Sequence, residues 1–259
     1  MKDITRLLCM VLLSFLVVTG CSRRDILDDY PVSGVEVRLD WSGVTEKLPE
    51  GVRIIFYPKD EKGRKIDTYL SVTGGEVKVP SGHYAVVIYN YDTETVLIRG
   101  EESYETIQAY TNFCKLGIAG TEKMVWGPDP LYVVNIDDLD IQNSEETLIL
   151  KLKPKLVIRT YSFSIKVQGL SNVSNVIGSI GGMADHYFLG KAYAMCDDYP
   201  INIDLNVKAG KIEGVFTTFG LPEAIITRLE IKLPVMMNLM IIKVDNSVQE
   251  VKINITEAV

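Results

Sequence analysis

A two-residue alternation of apolar and polar side chains recurs along most of the chain. Residues 35–41, VEVRLDW, and residues 201–208, INIDLNVK, each place an apolar side chain at every second position. This period is typical of a β-strand with one buried face and one solvated face. Residues 83–91, HYAVVIYNY, are apolar on both faces, which predicts a central strand covered on both sides. The alternation therefore predicts an all-β fold.

The spacing of the strand candidates predicts two tandem antiparallel β-sandwich domains, because each half has several candidates and neither has a long amphipathic helix. We place an N-terminal β-sandwich at residues 35–153 and a C-terminal β-sandwich at residues 154–259. Residues 101–113 fit either a helix or a strand. The acidic residues 137–140 are interpreted as part of a connection, and residues 229–233 as a further strand.

The last two strand candidates predict a hairpin. Residues 239–244 and 248–256 flank a short turn, Asp245-Asn246-Ser247. Such a short connection favours pairing within the chain. We therefore assign residues 248–256 to the C-terminal sandwich, and not to a strand that is donated to another molecule.

The first residues have the pattern of a secretory signal peptide. Basic residues precede an apolar run at 7–18, and small residues and Cys21 follow it. The run is shorter than the roughly 20 residues that span a bilayer. The sequence VTGC resembles a bacterial lipobox, so we expect residues 1–20 to be removed, Cys21 to be acylated and residues 21–34 to form a lipidated tether. The alternative is an ordinary signal peptide in which Cys21 is incidental.

Charge and cysteine content exclude several classes of protein. A net charge of −7 argues against nucleic-acid binding, which depends on the neutralisation of phosphates by basic side chains. Cys114 and Cys196 either pair in an oxidising compartment or remain as buried thiols. The sequence has no zinc-type cysteine spacing, and we predict neither a metal site nor a cofactor.

The stiff loop WGPDPLY is the best candidate for a ligand site. Trp126 and Tyr132 could stack on a sugar ring while Asp129 accepts hydrogen bonds from its hydroxyl groups. The alternative, which we favour, is that Trp126 is buried against a sandwich or in the junction between the two.

No pattern of residues predicts an enzyme. The two histidines, His83 and His186, lack the sequence context of a catalytic triad and are interpreted as structural. Asp137, Asp138 and Asp140 could contribute to a calcium site, but their spacing is not that of an EF-hand. A solvated acidic loop is the favoured interpretation.

Several segments, in this order, resemble a Bacteroidetes fimbrillin-like lipoprotein family and its fimbrial-anchor, or minor fimbrium, subunits. The segments after the lipobox are VEVRLDW, PSGHYAVVIYN, RGEESYETIQAYT, LKPKLVIRTYSFSIKVQGL, IGGMADHYFLG and GKIEGVFTTFG. The resemblance covers most of residues 21–259. It implies two transthyretin-like sandwiches and a role in a surface fimbrium, and it brings no catalytic residues.

Two functions follow as hypotheses. The first is a lipid-anchored outer-membrane protein that acts in fimbrial anchoring or adhesion by contact with other fimbrial or surface proteins. The second is a surface glycan-binding lipoprotein of a nutrient-uptake system. The sequence leaves open whether the protein faces the cell surface or the periplasm.

Overall fold

The fold is described by a computed structural model. The residues that it describes are 32–114, 123–197, 199–208, 210–223 and 234–259. Residues 33–259 form one compact unit. The predicted signal peptide, Cys21 and the strand predicted at 229–233 lie outside the described residues. Within them, no helix has the length and apolar character that crossing a membrane requires.

Strands dominate the described structure, which confirms the predicted all-β class. The helices among these residues are two 3-10 turns, Leu170–Asn172 and Thr256–Ala258. The strands in chain order are β1 (Val32–Leu39), β2 (Gly51–Pro58), β3 (Ile66–Ser71), β4 (Gly74–Pro80), β5 (Gly82–Asn90), β6 (Val96–Arg99), β7 (Gln108–Thr111), β8 (Phe113–Cys114), β9 (Met124–Val125), β10 (Tyr132–Ile141), β11 (Leu148–Leu152), β12 (Lys155–Leu156), β13 (Arg159–Lys166), β14 (Val173–Gly181), β15 (His186–Phe188), β16 (Tyr193–Met195), β17 (Ile201–Lys208), β18 (Lys211–Thr218), β19 (Met236–Lys243) and β20 (Val248–Asn254).

The first sheet has the strand order β11-β1-β4-β3-β2-β5-β10-β12. Its pairs are antiparallel from β3 through β2 and β5 to β10. At one edge, however, β1 and β11 run parallel, with Val35 opposite Leu148 and Leu39 opposite Leu152. Alternation within each strand predicts which face is buried, but it carries no information on this parallel pairing of strands that are distant in sequence.

Strand β5 has a hydrophobic core on each of its two faces. Its odd-numbered residues from Ala85 to Tyr89 belong to one cluster of buried side chains, the central cluster. Its even-numbered residues from Tyr84 to Ile88 belong to another, the first-sheet cluster, which also includes buried side chains of β1 and β4. The predicted central strand is therefore confirmed.

A third, smaller sheet covers the central cluster. Its order is β16-β15-β7-β6, and Tyr110 of β7 lies opposite His186 of β15. The segment 101–113 is thus a series of turns followed by strands, not a helix. Because β7 and β15 come from opposite sides of the predicted boundary at 153/154, the third sheet joins strands of both predicted sandwiches. The boundary itself stays a prediction.

The second sheet follows the order β13-β18-β17-β14-β19-β20, and β9 adds to β17 in parallel. Its apolar side chains form the C-terminal cluster, whose buried members are Val125, Ile180, Met183, Ile201, Ile203, Phe216, Val235, Met237 and Leu239. The predicted hairpin is confirmed, because β19 and β20 pair antiparallel from Met236–Asn254 to Ile242–Val248.

The acidic residues 137–140 lie within β10, so their interpretation as a connecting loop is wrong. Strand β10 pairs with β5, and the register shifts between Ile136 and Leu139. Both of these apolar side chains pack against the first-sheet cluster. An irregularity of this kind lets a strand with consecutive acidic residues keep its apolar side chains in contact with the core.

Candidate functional site

The three residues of the predicted ligand loop lie in different environments. Trp126 is 43% exposed, whereas Tyr132 is buried with its ring edge-on to Trp41 at a centroid distance of 5.3 Å. One carboxylate oxygen of Asp129 accepts hydrogen bonds of 2.6 Å from each of the backbone N–H groups of residues 94–95. Of the two rings, therefore, only that of Trp126 is open to a ligand, and sugar binding at these residues stays a prediction.

The expectation that Trp126 is buried is wrong. The backbone N–H of Trp126 donates to the carbonyl of Asn112 at 3.0 Å, and the carbonyl of Trp126 accepts from the Thr111 hydroxyl at 2.6 Å. The ring lies outside the core. The buried indole is instead that of Trp41, whose Nε1 donates to the carbonyl of Val72 at 2.6 Å. A buried indole needs such an acceptor, and the sequence alone does not show which tryptophan has one.

The two tryptophans make a matched pair of variants. We expect Trp126→Ala to lower the free energy of unfolding by about 2 kcal/mol, because roughly half of the ring is already in water, whereas Trp41→Ala should cost the roughly 3–5 kcal/mol typical of a fully buried ring. Urea unfolding of both variants measures the difference. Equal costs would contradict the placement of Trp126, and loss of retention on a glycan column with little change in stability would support a ligand role.

His83 lies on an exposed surface among charged groups. Its Nδ1 is 3.4 Å from Asp138, its Nε2 is 3.7 Å from Asp140, and Lys59 also contacts Asp138 at 3.1 Å. The hydrogen bond from Lys59, with a smaller effect of His83, lowers the pKa of Asp138. Such solvated ion pairs contribute little to stability.

The second histidine, His186, is buried beside an acidic residue. The side chains of Asp185 and His186 are 5% and 6% exposed, and one carboxylate oxygen of Asp185 is 2.6 Å from Nδ1 of His186. The other oxygen accepts the backbone N–H of Asp197 at 3.0 Å. The carboxylate of Asp197 lies 4.0 Å from the same Nδ1 and 3.8 Å from Arg99. We call Asp185, His186 and Asp197 the acid–histidine cluster.

Cys114 is a free, buried thiol, so the alternative of a disulfide with Cys196 is wrong. Its Sγ donates to the carbonyl of Met124 at 3.4 Å. Burial raises the pKa of the thiol, which keeps it in the unreactive protonated form.

The two end strands of the second sheet expose apolar side chains. Within the part of the chain that the structure describes, β13 is paired with β18 alone and β20 with β19 alone. Both end strands pack against the C-terminal cluster, but their inward side chains are only half-buried. These side chains are Tyr161, Phe163 and Ile165 of β13, and Val251 and Ile253 of β20 with Ile255 directly after it.

The two end strands differ in how open they are to a further strand. On β20, Glu250 and Lys252 form an exposed ion pair at 3.3 Å, and charges on an edge oppose the addition of another strand. The exposed side chains at the middle of β13 are the uncharged Ser162 and Ser164. Strand β13 is therefore the candidate assembly edge.

Phe163 gives this edge its apolar surface. It pairs directly with Gly214 on β18, and a Cβ at position 214 would lie 2.4 Å from Cζ of the phenylalanine ring. The glycine thus leaves room for the ring to lie across the neighbouring strand, where it remains partly exposed.

The protein is therefore built from packed β-sheets of the sandwich type, and one of these sheets has an open edge. A family model described as a domain of unknown function, DUF5119, matches residues 20–204. The chain is also 53% identical over 261 residues to a Bacteroides ovatus protein named "putative fimbrium anchoring subunit Fim4B", and the match covers 96% of this chain and 78% of that protein. The chain belongs to the DUF5119 family.

Solved structures share the fold of the chain. A crystal structure of a "putative adhesin" from Bacteroides ovatus is 53% identical, with a TM-score of 0.83, and the match covers 92% of this chain and 88% of that one. The fimbrial anchor protein Mfa2 of Porphyromonas gingivalis shares the fold at 14% identity, with a TM-score of 0.55 and coverage of 88% of this chain and 83% of that one. The resemblance to fimbrillin-like and fimbrial-anchor proteins that the sequence predicts is confirmed.

Sequence reasoning missed the acid–histidine cluster and the position of the assembly edge. The adjacent residues Asp185 and His186 were a visible signal, but their contact with Asp197 depends on the pairing of β15 with β16. The alternation in β13 predicts a strand, and it does not show that the strand ends a sheet.

Proposed function

We propose that this protein is a lipid-anchored subunit of the outer membrane that anchors a fimbria by protein–protein contact and has no enzymatic activity. The observation that carries the proposal is the candidate assembly edge, an end strand with a partly exposed apolar side and uncharged outward side chains, Ser162 and Ser164, at its middle. The name of the Bacteroides ovatus relative supports the same role.

The edge is suited to receive a strand of another protein. Adding an extended segment to a sheet edge supplies main-chain hydrogen bonds, and alternate side chains of the segment enter apolar positions. At β13 those positions would lie beside Tyr161, Phe163 and Ile165, which already contact the C-terminal cluster. A fimbrial subunit with an alternating apolar segment has the chemistry to cover them.

The proposed attachment to the membrane rests on the sequence around Cys21. Acylation of Cys21 with more than one chain would give stable anchoring, because one chain alone binds a bilayer only reversibly. Residues 32–34 of the predicted tether belong to β1, so the part that precedes the strand, residues 21–31, would then keep the folded unit within roughly 35 Å of the membrane.

Lysines on the exposed face of β13 test the assembly edge. In cells that also make the fimbrial subunits, we expect Ser162→Lys/Ser164→Lys to reduce the fimbriae retained on the cells about tenfold, equivalent to about 1.4 kcal/mol of binding. The physical reason is that charges along an edge oppose strand addition. The measurement is the ratio of fimbrial subunit in the cell pellet to that in the medium.

The matched control is Val248→Lys/Gln249→Lys, which adds the same charge to exposed positions of the other end strand. This variant should retain its fimbriae. If both variants retain their fimbriae equally, β13 is not the strand that contacts the fimbria. If both lose fimbriae to the same extent, the loss is a general effect of charge.

A surface glycan-binding lipoprotein is the second candidate, and the observation that favours it is the exposed ring of Trp126. The glycan-column comparison of the Trp126→Ala variant separates it from the anchoring role, because the assembly edge lies on another strand.

A further inference from the structure

In the acid–histidine cluster, two carboxylates face one imidazole nitrogen. Nδ1 of His186 faces the carboxylate of Asp185 at 2.6 Å and that of Asp197 at 4.0 Å. An imidazole nitrogen carries at most one hydrogen, so it can donate to only one of these carboxylates at a time. The contact between Asp185 and His186 satisfies a buried pair, but it does not explain why a second carboxylate lies beside the same nitrogen.

The separations of these atoms suit a shared cation. One imidazole nitrogen and one oxygen from each carboxylate lie within 4.8 Å of one another. Ligands about 2.0–2.2 Å from a tetrahedral ion are about 3.3–3.6 Å apart, a value between the two distances measured from Nδ1. A shared ion would require a small opening of the contact between Asp185 and His186 and rotation of the exposed Asp197 side chain.

Two of the three groups are held in place by the fold. Asp185 donates its backbone N–H to Met195 at 3.0 Å, and its second carboxylate oxygen is fixed by the N–H of Asp197. His186 is the first residue of β15 and pairs with both Tyr110 and Met195. Arg99, which lies 3.8 Å from Asp197, has other contacts, with Gln108 at 3.0 Å and over the ring of Tyr110 at 4.6 Å, so it can release Asp197.

We propose that Asp185, His186 and Asp197 bind a divalent transition-metal ion of the zinc class. An imidazole nitrogen combined with carboxylate oxygens suits zinc, whereas calcium and magnesium prefer oxygen ligands alone. With three protein ligands, the fourth position of a tetrahedral ion would be left to water. The ion links the start of β15 to the segment after β16, so it stabilises the third sheet.

Thermal unfolding with added ZnCl₂ tests the site on the purified full chain without a histidine tag. At a zinc concentration about a hundred times the dissociation constant, we expect the melting temperature to rise by roughly 5–10 °C. Calorimetric titration should give one zinc ion per chain. CaCl₂ at the same concentration should cause no such rise.

The variants separate this site from the surface histidine. His83→Ala should keep the full zinc effect, whereas His186→Ala and Asp197→Ala should lose it. Asp197→Ala decides the matter if His186→Ala does not fold, because the Asp197 side chain is exposed and its backbone N–H, which holds Asp185, is retained. No zinc effect in the wild type, or an effect that survives in Asp197→Ala, would overturn the proposal, as would an equal response to calcium.

Discussion

Removal of residues 248–259 is expected to give a chain that aggregates and no longer unfolds cooperatively. The deletion takes away β20, which pairs with β19 along its whole length. It also removes four half-buried apolar side chains that pack against the C-terminal cluster, namely Val251, Ile253, Ile255 and Val259. At about 1 kcal/mol for each half-buried side chain, the loss is about 4 kcal/mol before any loss of hydrogen bonds. That is a large part of the roughly 5–15 kcal/mol by which a domain is stable.

The deletion also opens a new sheet edge. Strand β19 would lose its partner on one side, and Met237 and Leu239, now buried, would lose the side chains opposite them. An exposed, apolar edge of this kind favours association with other chains. Size-exclusion chromatography and calorimetry should show aggregates and no single unfolding transition.

A pair of point variants controls for the shortening of the chain. Ile253→Asp places a charge on the half-buried side of β20 and should destabilise the domain, while Gln249→Asp, at an exposed position, should change the melting temperature little. A soluble truncation that melts cooperatively but fails to retain fimbriae would show that β20 is donated to a partner, contrary to its assignment here.

Cys21→Ala is expected to move the protein almost completely from the membrane fraction to the soluble fraction. Each methylene of an acyl chain contributes about 0.8 kcal/mol of membrane binding, so losing more than one chain removes the whole anchor. The fold of residues 33–259 should be unaffected, since Cys21 precedes that compact unit. Fractionation of cells, with labelled palmitate to follow acylation, measures both effects.

Cys9 provides the matched control. It lies inside the apolar run that we expect to be removed, so Cys9→Ala should leave both acylation and membrane association unchanged. A Cys21→Ala protein that still pellets with membranes would show that a retained apolar segment or a protein partner holds it there.

The local sequence pattern predicts the strands well, because a strand with one buried face alternates apolar and polar residues and a strand with two buried faces is apolar throughout. Strand β5 is apolar on both faces, and the structure packs a separate cluster on each. The hairpin of β19 and β20 follows from a short turn between two alternating segments. Where strands that are consecutive in the chain are also neighbours in the sheet, the sequence is sufficient to predict their pairing.

Pairings between distant segments could not be predicted in this way. The parallel pair of β1 and β11 and the third sheet both depend on which strands meet, a choice that alternation does not encode. The same limit explains the site residues. Tyr132 is buried because Trp41 packs against it, and Trp126 is exposed because the loop places its backbone, and not its ring, against the neighbouring strand.

The parallel pairing of β1 has a mechanical consequence. β1 follows the predicted tether and lies between β11 and β4, so a pull from the membrane enters the fold along the axis of a strand paired on both sides. In this geometry the hydrogen bonds between Val35–Leu39 and Leu148–Leu152 carry the load together, in shear. A pull on β20 at right angles to its axis would instead open its ladder with β19 one pair at a time. The fold therefore resists force best at its N-terminal side, where the proposed lipid anchor would pull.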